Sequence, residues 1–149
     1  MIRALHADDG PACDAIVASL PAWFGMEEGI RECAKAVRTQ PGLVVEADCE
    51  VVGFLTLSRP YAHTPEISWM AVRAGHRRRG TGRALIDAIS DRLRAEGDRL
   101  MVVKTLSDRE DPGPEYAETR AFYLAMGFVP VAELYLHPDN PMQLLALPL

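Results

Sequence analysis

The order of elements along this 149-residue chain predicts an α+β fold in a single domain spanning residues 1–149. Three observations carry that expectation. Segments with strand and helix patterning follow one another without an internal repeat, and no low-complexity tract or linker divides them. A helix pattern stands between two apolar strand patterns at residues 66–72 and 100–105, the order of a right-handed parallel crossover. The length is near the usual size of one domain and suffices to bury roughly two thirds of the unfolded surface.

Each element has its own signal. Met1 to Leu5 reads as a short strand, and Asp8 or Asp9 is placed to cap a helix with Ala12, Ile16 and Leu20 on one stripe, ended by Pro21. A second helix runs from about Met26 to Arg38 and stops before Pro41-Gly42. Leu43 to Ala47 and Val51 to Leu57 form a hairpin around Asp48-Cys49-Glu50, after which Pro60 and Pro65 bracket a loop. Glu66 to Val72 mixes alternation with a β-rich apolar end, as a largely buried strand does. The next helix opens near Gly82, carries Leu85, Ile89 and Leu93 at i, i+4, i+8 with Ile86 beside them, and stops at Gly97. A buried strand from Leu100 to Thr105, a helix near 117–126 and two closing strands near 128–136 and 142–147 complete the order.

Composition excludes several classes. Hydrophobic residues make up 48% and charged residues 25%, ordinary for a globule, and no run approaches the roughly 18 apolar residues of a membrane span. Asp8 and Asp9 break any secretory pattern at the N-terminus, so a cytoplasmic protein without a membrane partner is expected. Cys13, Cys33 and Cys49 are odd in number and show no Cys-x-x-Cys spacing, and His6, His63, His76 and His137 are scattered. Neither a disulfide framework nor a metal site is expected. The net charge of −5, with basic residues gathered on one turn and no aromatic interleaving, argues against a nucleic-acid partner.

That turn is Arg77-Arg78-Arg79-Gly80-Thr81-Gly82, between the strand ending at Val72 and the helix carrying Leu85. A helix N-terminus presents unpaired N–H groups and a positive dipole end, and glycines let a ligand approach them, so three arginines alongside describe a pyrophosphate site. A Walker A loop needs four residues between its glycines and a following Lys-Ser/Thr, and a dinucleotide fingerprint needs a third glycine where Leu85 stands. Both fail. The Arg-x-x-Gly-x-Gly that remains resembles the acyl-CoA signature of the GNAT superfamily of N-acyltransferases. About forty residues on, Thr119 to Phe128 (TRAFYLAMGF) is similar to the closing helix of that family, which ends in a Phe/Leu-Tyr…Gly-Phe run. The resemblance covers about residues 43–136.

The resemblance implies a mixed, mostly antiparallel central sheet, splayed at two parallel strands and flanked by helices on both faces. It implies acetyl-CoA as cosubstrate, held by the backbone of Met70, Ala71 and Val72 as an added strand. Arg77, Arg78, Arg79, Gly80, Thr81, Gly82 and Arg83 would take the diphosphate, and Thr119 and Phe122 would line the rest. An amine acceptor arrives mostly protonated, with a pKa of about 8 to about 10.4, and needs a base. Glu66 matches a carboxylate that serves some GNAT enzymes through ordered water, and Tyr123 matches the tyrosine that faces the sulfur and protonates the leaving thiolate. Two positions depart from the family pattern: Tyr116 stands where many members have Asn, and Thr119 where they have Ala. The acceptor, a small molecule or a peptide, is expected near Trp23 and Phe24, near Tyr61-Ala62-His63, and near the loop from Ser107 to Glu118. The acidic residues of that loop, Asp108, Glu110, Asp111, Glu115 and Glu118, suit a cationic amine. The alternative is a non-catalytic acyl-CoA-binding module on the same fold. Pairing through sheet edges or helices in the family leaves a homodimer open.

Overall fold

A computed structural model describes residues 1–109, 113–136 and 141–149 and places seven strands in one sheet. In chain order the elements are β1 (Ile2–Ala4), a 3-10 turn (Ala7–Asp9), α1 (Gly10–Ala18), α2 (Glu27–Thr39), β2 (Gly42–Ala47), β3 (Glu50–Tyr61) and β4 (Thr64–Val72). A second 3-10 turn (Ala74–His76), α3 (Thr81–Ala95), β5 (Leu100–Leu106), α4 (Pro114–Ala125), β6 (Val129–Leu134) and β7 (Met142–Pro148) follow. The strand order is β1-β2-β3-β4-β5-β7-β6, and every pair is antiparallel except β4 with β5. The expected crossover is therefore present, with α3 as its helix.

Two apolar layers hold the helices to the sheet. Cys13, Ile16, Val17 and Leu20 from α1 and its exit, with Cys33 and Val37 of α2, pack on Val44, Phe54 and Ala71. On the other face Leu85, Ile86, Ile89 and Leu93 of α3 and Tyr123 of α4 pack on Leu43, Val45, Leu55, Ile67, Met101, Val103 and Leu145. Each of these larger side chains contributes about 1.5–3 kcal/mol through burial, so the α3 stripe alone pins the helix start beside the end of β4. Burial also pushes the Cys13 and Cys33 thiols up to about 12, consistent with their being packing residues. No helix among the described residues is long and apolar enough to cross a membrane.

Several local expectations change. Asp9 precedes α1 but does not cap it: its carboxylate accepts from the His6 N–H at 2.8 Å and from the Arg3 guanidinium at 2.8 and 2.9 Å. The Asp48-Cys49 turn is a two-residue hairpin with both residues at positive φ, 53° and 64°. Strands β3 and β4 run through Pro60 and Pro65 to a second hairpin at Ala62-His63, because the register between Ser58 and Tyr61 is irregular and needs fewer ladder N–H groups. Helix α4 starts at Pro114, three residues earlier than expected, since proline suits the first helical turn.

Two carboxylates fasten the frame. Asp98, buried at the entrance to β5, accepts from Arg59 of β3 at 2.8 and 3.0 Å, and Asp9 is held by Arg3 in the same way. The arginine hydrogen bonds hold both carboxyls below the usual carboxylate range. A depressed folded value means that the contribution is complete above the unfolded pKa of about 3.9 and vanishes as pH falls through the lower folded value. Thermal unfolding across pH should therefore show a stability plateau above about pH 5 and a decline below about pH 4. At neutral pH Asp98→Asn should cost about 1–3 kcal/mol and flatten that acid decline. An unchanged acid decline in this variant would remove Asp98 from the account.

Candidate functional site

The sheet opens at one place. Pairing between β4 and β5 is confined to Glu66 with Val102 and Ile67 with Val103, although both strands continue beyond it. The register of β3 on β4 slips at the same level, where Thr56 meets Trp69 but Leu57 meets Ile67, leaving Ser68 as an extra residue in β4. Such a bulge bends its strand and increases local twist, which turns β4 away from β5. Beyond the bulge the Arg73 N–H donates to Val52 O at 2.8 Å. Antiparallel alternation then gives Ala71 and Trp69 to β3 and turns the N–H and C=O of Met70 and Val72 toward the gap. Of the three backbone positions expected to line the gap, the register thus orients Met70 and Val72 into it, and Ala71 toward Phe54.

The arginine turn closes one side of this gap. Arg78 has φ 61° and Gly80 φ 79°, and Gly80 occupies the N-cap position of α3 with no side-chain acceptor on the helix N–H groups. The amides of Thr81, Gly82 and Arg83 thus form an uncapped helix start. Arg79 and Arg83 are exposed and make no ion pair among the described residues, whereas Arg77 donates to Glu118 Oε1 at 3.1 Å and Arg78 lies 3.6 Å from the same oxygen. Gly82 is close-packed: a Cβ there would stand 3.0 Å from Phe122 Cζ and 3.4 Å from Met70 Cε. Thr81 fits its methyl against Gly53. Strand β4, the start of α3 and helix α4 therefore meet at Met70, Gly82 and Phe122.

Helix α4 supplies the opposite wall. Tyr123 is buried, with the rings of Phe122 and Phe128 edge-on at 5.3 and 5.2 Å, and burial raises its phenol pKa. Its hydroxyl has no hydrogen-bond partner among the described residues. Thr119 Oγ1 donates back to Glu115 O at 3.1 Å and accepts from the Trp23 indole at 3.2 Å, so its hydroxyl is engaged locally. Tyr116, where the family often has Asn, donates to Trp23 O at 2.8 Å. Arg120 donates to Leu106 O at 2.8 Å and ties α4 to the end of β5.

Glu66 sits where the strands begin to part, its side chain 15% exposed, and Lys104 Nζ reaches it at 3.4 Å from β5. Sequence reasoning missed Lys104. No local pattern marks it: only the register of Glu66 with Val102 places Lys104, two residues on, on the same face. The acidic segment divides: Glu115 and Glu118 belong to α4, not to a loop, and Glu118 faces the arginines, while Glu110 and Asp111 lie outside the described residues. His137 also lies outside them. Arg109 turns to the Tyr135 hydroxyl at 3.0 Å.

Residues 39–130, well over half of the chain, match the family model described as Acetyltransferase (GNAT) domain. The chain belongs to the GNAT family. No curated protein matches its sequence. A Desulfovibrio desulfuricans protein assigned to the GNAT family shares the fold with a TM-score of 0.85 and 21% identity, covering 99% of this chain and 98% of that one. The ribosomal-protein-S18-alanine N-acetyltransferase of Escherichia coli gives a TM-score of 0.78 at 19% identity, over 99% of this chain and 92% of that one. An aminoglycoside 6'-N-acetyltransferase complexed with coenzyme A gives 0.75 at 16%, over 99% and 96%. The family match spans β4, the arginine turn, α3, β5 and α4, the elements that frame the opening in this GNAT domain.

Proposed function

We propose that this GNAT domain transfers the acetyl group of acetyl-CoA to a primary amine of a small molecule or peptide, by direct attack within a ternary complex. The observation that carries the reading is the parting of β4 from β5 beside an uncapped helix start flanked by arginines. Structural relatives named for amine acceptors, a ribosomal-protein alanine and an aminoglycoside, support the amine, and the second of them holds coenzyme A.

The residues present fit the cosubstrate. Free amides at Thr81, Gly82 and Arg83, with the guanidinium groups of Arg77, Arg78, Arg79 and Arg83, suit a diphosphate. The gap-facing backbone groups of Met70 and Val72 suit an amide-rich arm. Bound acetyl-CoA supplies a thioester carbon open to nucleophilic attack. Glu66 takes the proton that the ammonium must lose, directly or through water, leaving a neutral amine. Tyr123 then gives its proton to the departing sulfur, a proton that burial holds on the phenol until negative charge builds there. The N–C bond forms and the C–S bond breaks, and the second proton that the nitrogen sheds on becoming an amide replaces, directly or through water, the one Tyr123 gave to the sulfur.

Thiol release from acetyl-CoA across a panel of primary amines tests the reading. Saturable, acceptor-dependent release is expected. Coenzyme A binding with no release for any acceptor would instead assign the chain to non-catalytic acyl-CoA binding.

A further inference from the structure

The candidate diphosphate site already contains an anion of the protein's own. Glu118 Oε1 lies 3.1 Å from Arg77 and 3.6 Å from Arg78, with the Glu118 side chain 39% exposed. The Arg77 guanidinium carbon is also stacked 4.1 Å from the centre of the Trp23 ring. The indole N–H of Trp23 donates to Glu115 O and Thr119 Oγ1, each at 3.2 Å, and Trp23 O accepts from Tyr116 at 2.8 Å. One stretch of α4, residues 115–119, therefore grips both the arginine and the tryptophan. Next to Trp23, the segment between α1 and α2 rests Phe24 against Trp69, beside the bulge in β4, with ring centres 6.0 Å apart. The segment between α1 and α2 spans the mouth of the opening from β4 to α4.

We infer that Glu118 holds the place of the cofactor's diphosphate, and that Trp23 is the positioning residue through which its displacement reaches the segment between α1 and α2. The inference rests on the reading of the groove as an acetyl-CoA site. A diphosphate carries more negative charge than one carboxylate and offers more acceptor oxygens to a guanidinium fork, so it displaces Glu118 from Arg77 and Arg78. Arg77 then leaves its stacked position over Trp23, and the like charge of the diphosphate pushes on the α4 turn that holds the indole. Cofactor occupancy and the acceptor-side segment become coupled through one cation.

The sign of the effect separates this from ordinary structural damage. Glu118→Gln removes a competitor and should tighten coenzyme A about two- to fivefold by calorimetry at low ionic strength, the range of a partly exposed ion pair. Asp87→Asn, at an exposed carboxylate of α3 that pairs with neither arginine among the described residues, should leave the affinity unchanged. In a Trp69→Phe background Trp23 is the sole remaining tryptophan, and its emission should change along the same saturation curve that calorimetry gives for coenzyme A. Tighter binding in Glu118→Gln together with that emission change supports the inference. Binding of coenzyme A without either one overturns it and leaves the acetyl-CoA reading standing. No heat from coenzyme A in the unaltered protein overturns both.

Discussion

Replacing Gly82 with valine lowers the affinity for coenzyme A at least about a hundredfold, the loss expected when two charge-assisted hydrogen bonds of about 1.5–3 kcal/mol each are blocked. Gly82 is the second residue of α3, and its N–H is among those that the helix leaves unpaired. A first side-chain carbon there already stands 3.0 and 3.1 Å from the Phe122 ring and 3.4 Å from Met70 Cε. Valine adds two more carbons, which extend either into that ring or over the amide. The ring of Phe122 is only partly buried and yields at a cost of about 1–3 kcal/mol, so the variant remains folded, which thermal unfolding should verify. Arg78→Glu is the arm without packing consequences, because that side chain is 84% exposed. It reverses one charge at the turn, places it beside Glu118, and should weaken coenzyme A about tenfold, more at low salt. Calorimetry checks both. Wild-type affinity in the two variants would move the diphosphate away from residues 77–82.

Why this turn was legible in the sequence while its surroundings were not follows from where the information lies. Gly80, Thr81 and Gly82 act through backbone conformation and close approach, which residue type and order encode directly, and φ 79° at Gly80 agrees with them. The α3 stripe of Leu85, Ile89 and Leu93 was equally readable, because periodicity is a local property. The Glu66–Lys104 pair, the Trp23–Arg77 stack and the Glu118 contact join residues 38, 54 and 41 positions apart, and no local pattern specifies which charged side chains meet at that range. Asp9 shows the same limit on a smaller scale. Its position before a helix suggested a cap, but Arg3, brought beside it by β1, offers a charged hydrogen bond of larger worth than a neutral cap. The parting of β4 from β5 stands between these cases. Two apolar strands around a helix predicted neighbours, whereas the extra residue at Ser68 that turns them apart is visible only in the register.

Tyr123→Phe should lower turnover at least about tenfold while leaving the affinity for coenzyme A and the folded stability nearly unchanged. The substitution removes one oxygen and retains the ring, which lies edge-on to Phe122 and Phe128 and supplies the packing of α4 against β5 and β7. A hydroxyl without a hydrogen-bond partner among the described residues contributes little to stability, so a fall in turnover on its removal would be chemical rather than structural in origin. Burial alone raises the phenol pKa, so Tyr123 stays protonated and meets the departing sulfur as a hydrogen-bond donor whose proton moves only as negative charge builds there. Loss confined to the chemical step appears as a reduced kcat with KM for acetyl-CoA little altered, the pattern of an interaction made only in the transition state. Because the phenol remains protonated beyond its ordinary value of about 10, no alkaline fall in the wild-type rate below that pH belongs to Tyr123. Acceptors whose ammonium groups ionise at different pH should shift the acid limb of the profile with their own pKa, since the proposed mechanism passes their proton to Glu66. A Tyr123→Phe protein with full turnover would make the residue a packing side chain and leave thiolate departure to water.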